Sequence, residues 1–117
     1  MKNFQVINEK YELWISRQIL REYAVVISRP GFSNNIADSE TIADDLVRWE
    51  SNLNIADENE EVTRNLIYLI RQYKISGKKI HDANIVATML TYRLPVLYTY
   101  NQDDFKRFKE IELYTAE

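Results

Sequence analysis

Three acidic residues in this 117-residue chain stand where carboxylate chemistry is conceivable: Glu22, Asp82 and Asp104. Glu22 has Ile19 three positions before it and Val26 four after, which on a helix puts all three on one face. A charge inside an apolar stripe is costly unless it has a partner. The plainer alternative is that Glu22 lies at the stripe's margin and pairs with Arg21 or a distant lysine. Asp82 opens a helix in line with Ile85, Val86 and Met89, while Ala83 and Ala87 suit close packing on another side. An Asp in a first turn also complements the helix dipole and caps free N–H groups, with no chemistry required. Asp104, with Asp103 beside it, follows the segment Tyr98-Thr99-Tyr100, and its plainer role is to cap the turn running to Phe108.

The three gain meaning together, because each falls just after an expected strand or at the start of the following helix. A parallel sheet brings such positions to its carboxyl edge, where open α/β folds bind ligands. Carboxylates gathered there repel one another unless a cation neutralises them, and hard oxygen ligands select Mg²⁺ or Mn²⁺. Lys78 and Lys79 precede Asp82, and Lys106, Arg107 and Lys109 follow Asp104, so positive charge suited to phosphate contact accompanies the acids. Short clusters of this kind more often form a solvated surface. His81 is the single histidine and reads as a packing or capping residue, since no Gly-x-Ser-x-Gly elbow accompanies it. With Gly31 and Gly77 the only glycines, no glycine-rich phosphate loop exists.

The elements that must position these residues follow from periodicity and capping. Glu12-Leu13-Trp14-Ile15 reads as a short strand after a weak helical fragment over residues 1 to 10, and Ser16 suits the N-cap of a helix from Arg17 to about Ser28. After a turn-rich loop from Arg29 to Ala37, Asp38 or Ser39 caps a helix to about Ser51 with Ile42, Leu46 and Trp49 inward. Leu53 to Ala56 suits a strand, and Asp57 with Glu60 resembles a capping box opening a helix that Gly77 terminates. A helix over Asp82 to Tyr92, a buried strand over Pro95 to Thr99, a turn with a short helix around Asn101 to Phe105, and a last strand over Ile111 to Tyr114 complete the chain. Short strands alternating with longer helices indicate an α/β layered fold with a mainly parallel sheet, in a single domain of residues 1–117.

Composition narrows the classes. With 45% hydrophobic and 28% charged residues the chain is ordinarily globular, and its net charge of -3 gives no global attraction to polyanions. Any nucleic acid must then be held locally, by a basic patch or through metal ions. No cysteine is present, and no apolar run approaches the roughly 20 residues a bilayer span needs. The expectation is a soluble, cytoplasmic protein with no membrane partner.

The stretches "LWISRQILREY" at 13–23, "GKKIHDANIVATML" at 77–90 and "YTYNQDDFKRF" at 98–108 together resemble three successive motifs of PIN-domain proteins, especially the VapC-type toxin ribonucleases. The resemblance implies a three-layer α/β/α fold and a metal-dependent endoribonuclease, the toxin of a toxin–antitoxin pair. It also implies that Glu22, Asp82 and Asp104 are the catalytic acids holding Mg²⁺ or Mn²⁺, that Asn101 is a supporting polar residue, and that Lys78, Lys79, Lys106 and Arg107 contact RNA. An antitoxin protein becomes a possible partner. Family members begin with an apolar strand carrying their first acid, whereas Met1-Lys2-Asn3-Phe4 resembles the tail of a later helix. The chain is therefore expected to be N-terminally truncated relative to that pattern, weakly active or inactive, with its sheet completed in one of three ways: a gene start set upstream, rearrangement, or exchange with a second copy, of which self-association as a homodimer is favoured. A catalytically inactive remnant serving as a binding or oligomerisation module is the alternative. A third reading has the basic clusters bind RNA without cleaving it.

Overall fold

The computed structural model describes residues 12–29 and 38–114. The expected helical fragment at residues 1 to 10 and most of the loop ending at Ala37 lie outside the described residues. The chain divides into two compact units, residues 1–56 and 57–117.

In the first unit, β1 (Trp14–Ser16) leads directly into α1 (Arg17–Ile27), and α2 (Ser39–Asn52) leads into β2 (Asn54–Ala56). The junctions are set by side-chain caps. Ser16 Oγ accepts from the Ile19 N–H at 3.1 Å, and Asp38 Oδ1 accepts from the Thr41 N–H at 2.8 Å. Each satisfies a donor that the first helical turn leaves without an intrahelical partner. β1 and β2 run parallel, with Trp14 opposite Asn54, Ile15 opposite Ile55 and Ser16 opposite Ala56. The two helices meet through Tyr23 and Trp49, whose rings stand edge to face at 5.9 Å, while the Tyr23 hydroxyl donates to Asp45 Oδ2 at 3.0 Å. Ile42, Leu46 and Trp49 are the half-buried positions that periodicity selects for the inner side of α2.

The second unit is built on a helical hairpin, α3 (Glu60–Tyr73) and α4 (Lys79–Tyr92). Val62 and Leu69 of α3 share a core with Ala83, Val86 and Ala87 of α4, and with Ile75, Phe105 and Phe108. The two alanines let the helix backbones approach. Asn65 Nδ2 donates to Thr91 Oγ1 at 2.8 Å across the hairpin, and the Tyr92 hydroxyl donates to the Asp57 carbonyl at 2.9 Å. Both helices end with a residue in the left-handed region, Lys74 and Arg93. In each case the next residue reaches five positions back: Ile75 N–H to the Ile70 carbonyl at 3.3 Å, and Leu94 N–H to Met89 at 2.9 Å. This is the Schellman pattern, and burial of Ile75 supplies its accompanying apolar contact. Gly77, also at positive φ, turns the linker toward α4. After α4, β3 (Val96–Leu97) pairs in parallel with β4 (Glu112–Leu113), and a 3-10 turn at Gln102–Asp104 lies between them.

Among the described residues both strand pairs are parallel, and α-helices precede and follow the strands, the α/β class expected from the sequence. Three local expectations need correction. The cap of α3 is Asn59, whose Oδ1 accepts from the Val62 N–H at 3.0 Å, because Asn59 and not Asp57 sits three residues before the first buried apolar side chain of the helix. α4 starts at Lys79, one turn of 3-10-type bonds before Asp82. The strand expected to be buried over Pro95 to Thr99 is two residues long, with Val96 and Tyr98 exposed, because only Leu97 faces the core.

Leu69 is 0% exposed, whereas Ile67 on the same helix is 45% exposed. Leu69→Ala is expected to lower unfolding free energy by about 2–5 kcal/mol and Ile67→Ala by roughly 0.5 kcal/mol or less, as read by urea denaturation. Equal losses would mean that α3 does not bury this face.

Candidate functional site

Two phenylalanines fix the acidic turn. Asp104 N–H bonds the Asn101 carbonyl at 3.1 Å, Phe105 N–H bonds Gln102 at 3.0 Å, and Phe108 N–H bonds Phe105 at 3.1 Å. Bonds of this i to i+3 type place side chains three residues apart on one side. Phe105 and Phe108 therefore enter the core together, their centroids 6.4 Å apart, while Asp103, Asp104, Lys106 and Arg107 stay exposed. Tyr73 of α3 packs edge-on against Phe108 at 5.1 Å. Its hydroxyl donates to Glu110 Oε1 at 2.7 Å and accepts from the Lys109 N–H at 3.0 Å. The Tyr68 hydroxyl donates to the other oxygen of Glu110 at 3.1 Å, so one carboxylate clasps the segment to α3. That bond and the charge of Glu110 hold the Tyr68 hydroxyl's pKa above the usual tyrosine range.

The result is a cleft of about 80 Å³ lined by Lys79, Asp82, Asp103, Asp104, Arg107 and Phe108. Lys79 and Asp82 come from the first turns of α4, and the other four from the turn after β3. The cleft is built within the second unit alone. Asp82 is half-buried and in line with fully buried Val86, one helical turn on. Two of the acids proposed from sequence, Asp82 and Asp104, are thus brought together, along with Lys79 and Arg107 from the proposed RNA contacts. Lys78 is exposed at the N-cap of α4 without a side-chain capping bond, and Lys106 is ion-paired with Asp103 at 2.8 Å. Asn101 serves the turn through its main chain, its N–H donating to Thr99 Oγ1 at 3.1 Å. His81 is exposed in the first turn of α4, which does not match a packing role. Sequence reasoning passed over Asp103 and Phe108 as cleft residues, although the Phe-x-x-Phe spacing bracketed by charged residues was a readable signal. The clasp of Glu110 by two tyrosines had no such signal.

Glu22 belongs to the first unit, on α1. It is exposed and accepts a hydrogen bond from Gln18 Nε2 at 3.1 Å. The apolar stripe expected around it is not a buried one: Val26 is exposed, and the buried positions of α1 are Gln18, Leu20 and Ile27. Its carboxylate therefore carries little desolvation cost.

Three carboxylates against two cations leave the cleft with a formal charge of -1. Among the described residues of this unit, no three acids or histidines stand close enough to enclose an ion. Mg²⁺ typically uses one or two carboxylates and completes its shell with water and substrate phosphate. Asp82 and Asp104, brought to the cleft from two different elements, suit that kind of site, and Asp103 is ion-paired with Lys106.

The family model for the PIN domain matches residues 3–111, which spans both units and all three motifs singled out in the sequence. No curated protein is similar enough to the chain to be matched with it. Among the described residues, no helix is long and apolar enough to cross a membrane.

The hydrogen bond and charge of Lys106 hold the Asp103 carboxyl below the usual Asp range, and Asp103 raises the Lys106 ammonium in return. A depressed folded pKa means that the pair's contribution is present above the unfolded Asp value of about 3.9 and is lost as pH falls through the folded one. In an NMR titration, Asp103 is expected to protonate below its ordinary value. Lys106→Ala, or high salt, should return it toward that value, since the pair is exposed and screened. An unmoved Asp103 in Lys106→Ala would show that the pair does not form.

Proposed function

Because the chain belongs to the PIN-domain family, whose members have a nuclease-type fold, we propose that it is a divalent-metal-dependent endoribonuclease of the VapC type, with the cleft of the second unit at its active site. The single observation that carries this reading is the meeting of Asp82 and Asp104, far apart in sequence, in one cleft with Lys79 and Arg107.

In this reading Asp82 and Asp104 would hold Mg²⁺ or Mn²⁺, and Glu22 enters only as the acid that the first motif's resemblance implies. The ion, when bound, supplies a water of lowered pKa and stabilises charge on the phosphate. Lys79 and Arg107 orient the scissile phosphodiester, Arg107 through the paired N–H groups that match phosphate oxygens. A cleft of formal charge -1 repels a phosphodiester by itself, which is the physical reason a divalent cation suits it. Asp103, drawn to Lys106, limits how much of the turn's negative charge faces the substrate. Phe108, buried in the core, forms the apolar floor of the cleft. The toxin role, an antitoxin partner, self-association and a cytoplasmic location belong to the same proposal. The cysteine-free composition is compatible with the reducing compartment.

The chain with Mn²⁺ or Mg²⁺ is expected to cleave single-stranded RNA and to stop on chelation. Asp82→Asn and Asp104→Asn should each lower kcat by about 100-fold or more, beyond the 10- to 100-fold typical of residues that merely orient metal ligands. Circular dichroism should be unchanged. RNA binding with steep salt dependence, indifferent to Mn²⁺ and without cleavage, would instead make the chain a binding module.

A further inference from the structure

The β3–β4 register continues one residue beyond the strands. Leu97 lies opposite Leu113 and packs on the core, and the Tyr114 N–H donates to the Leu97 carbonyl at 2.9 Å. Side chains alternate along a strand, so Tyr98 and Tyr114 fall side by side on the other face. Their rings lie 5.4 Å apart and tilted by 31°. Tyr100 then stands nearly perpendicular to Tyr98, with centroids 6.1 Å apart. Tyr98 is 46% exposed and Tyr100 is 92% exposed, so most of the Tyr100 ring meets water. The mechanism above uses none of these rings.

Exposed aromatic faces serve single-stranded nucleic acid well, because every base has a π-face to stack on them and a duplex keeps its bases internal. The position favours that occupant. Only three residues separate Tyr100 from Asp104, and Gln102, between them, donates from Nε2 to the Tyr114 carbonyl at 3.0 Å. The tyrosines and the acidic turn are thus parts of one hydrogen-bonded segment, with exposed Arg107 and Lys109 next in sequence to meet phosphates.

We propose that Tyr100, supported by the Tyr98–Tyr114 pair, is a base-stacking platform that selects unpaired RNA and leads it to the cleft. The inference deepens the ribonuclease reading and rests on it for the choice of RNA. The test is fluorescence anisotropy with a labelled, short, uridine-rich single-stranded oligoribonucleotide in chelator, so that no cleavage intervenes. Tyr100→Ala, at a site too exposed to affect folding, is expected to weaken binding by about 10-fold, with Tyr100→Trp restoring it and a duplex of the same sequence binding poorly to every form. Equal binding by the parent chain and Tyr100→Ala, or no binding by the parent chain, would overturn the platform. So would a loss of self-association in Tyr100→Ala, seen by sedimentation, with RNA affinity unchanged, which would give the surface to a second copy of the chain. A parallel cleavage assay with Mn²⁺ judges the ribonuclease reading separately. Cleavage with equal KM in parent and Tyr100→Ala leaves that reading standing and removes the platform, whereas stacking-dependent binding without cleavage does the reverse.

Discussion

Insertion of Phe105 and Phe108 into the core that α3 and α4 share is the interaction on which the cleft depends. Removing an aromatic side chain from water is worth on the order of 2–3 kcal/mol, far more than any exposed ion pair in the turn can contribute. Once both rings are buried at the spacing a 3-10 turn dictates, the residues beside them have no freedom to be anywhere but at the surface. Asp103, Asp104 and Arg107 are held out by what their neighbours must do. The other wall is set the same way, since burial of Ala83, Val86 and Ala87 fixes the rotation of α4 and with it the direction of Lys79 and Asp82.

The electrostatics follow from that placement. The acids near the cleft are not equivalent: Asp103 is exposed and tied to Lys106, Asp82 is half-buried, and Asp104 is exposed. Glu110, a fourth acid a few residues on, is diverted into the tyrosine clasp and serves architecture. Chemistry and scaffolding thus draw on the same residue type within a short segment, and hydrogen-bond partners decide which role each takes.

Much of the fold was legible because it is written in local rules. Ser16 and Asp38 are caps by residue type, the turns of α1 and α2 follow apolar spacing, and the strands were placed to within a residue or two at β1, β2 and β4. The start of α4 was not legible. Lys78 and Lys79 carry no capping side chain, and the helix is extended backward by tertiary packing of Ile80 against the core. The strand before the acidic turn misled because its β-branched and aromatic residues read as buried, when only Leu97 is turned inward. For the site, the positions of Asp82 and Asp104 after expected strands are consistent with their lining one cleft, while helical spacing around Glu22 gives a stripe's periodicity but not which way it faces, and Glu22 is exposed.

The β3–β4 ladder is held by few bonds, among them Glu112 N–H to the Pro95 carbonyl at 2.8 Å and Tyr114 N–H to Leu97 at 2.9 Å. A ladder this short contributes little, so residues 95–114 are held chiefly by Phe105 and Phe108 in the hairpin's core and by the Glu110 clasp on α3. The acidic turn, Arg107 and the tyrosine face all hang on those anchors, whereas Lys79 and Asp82 sit on α4 itself. One half of the cleft is therefore part of a helix and the other is only docked against it, so the cleft is complete only while both rings stay seated.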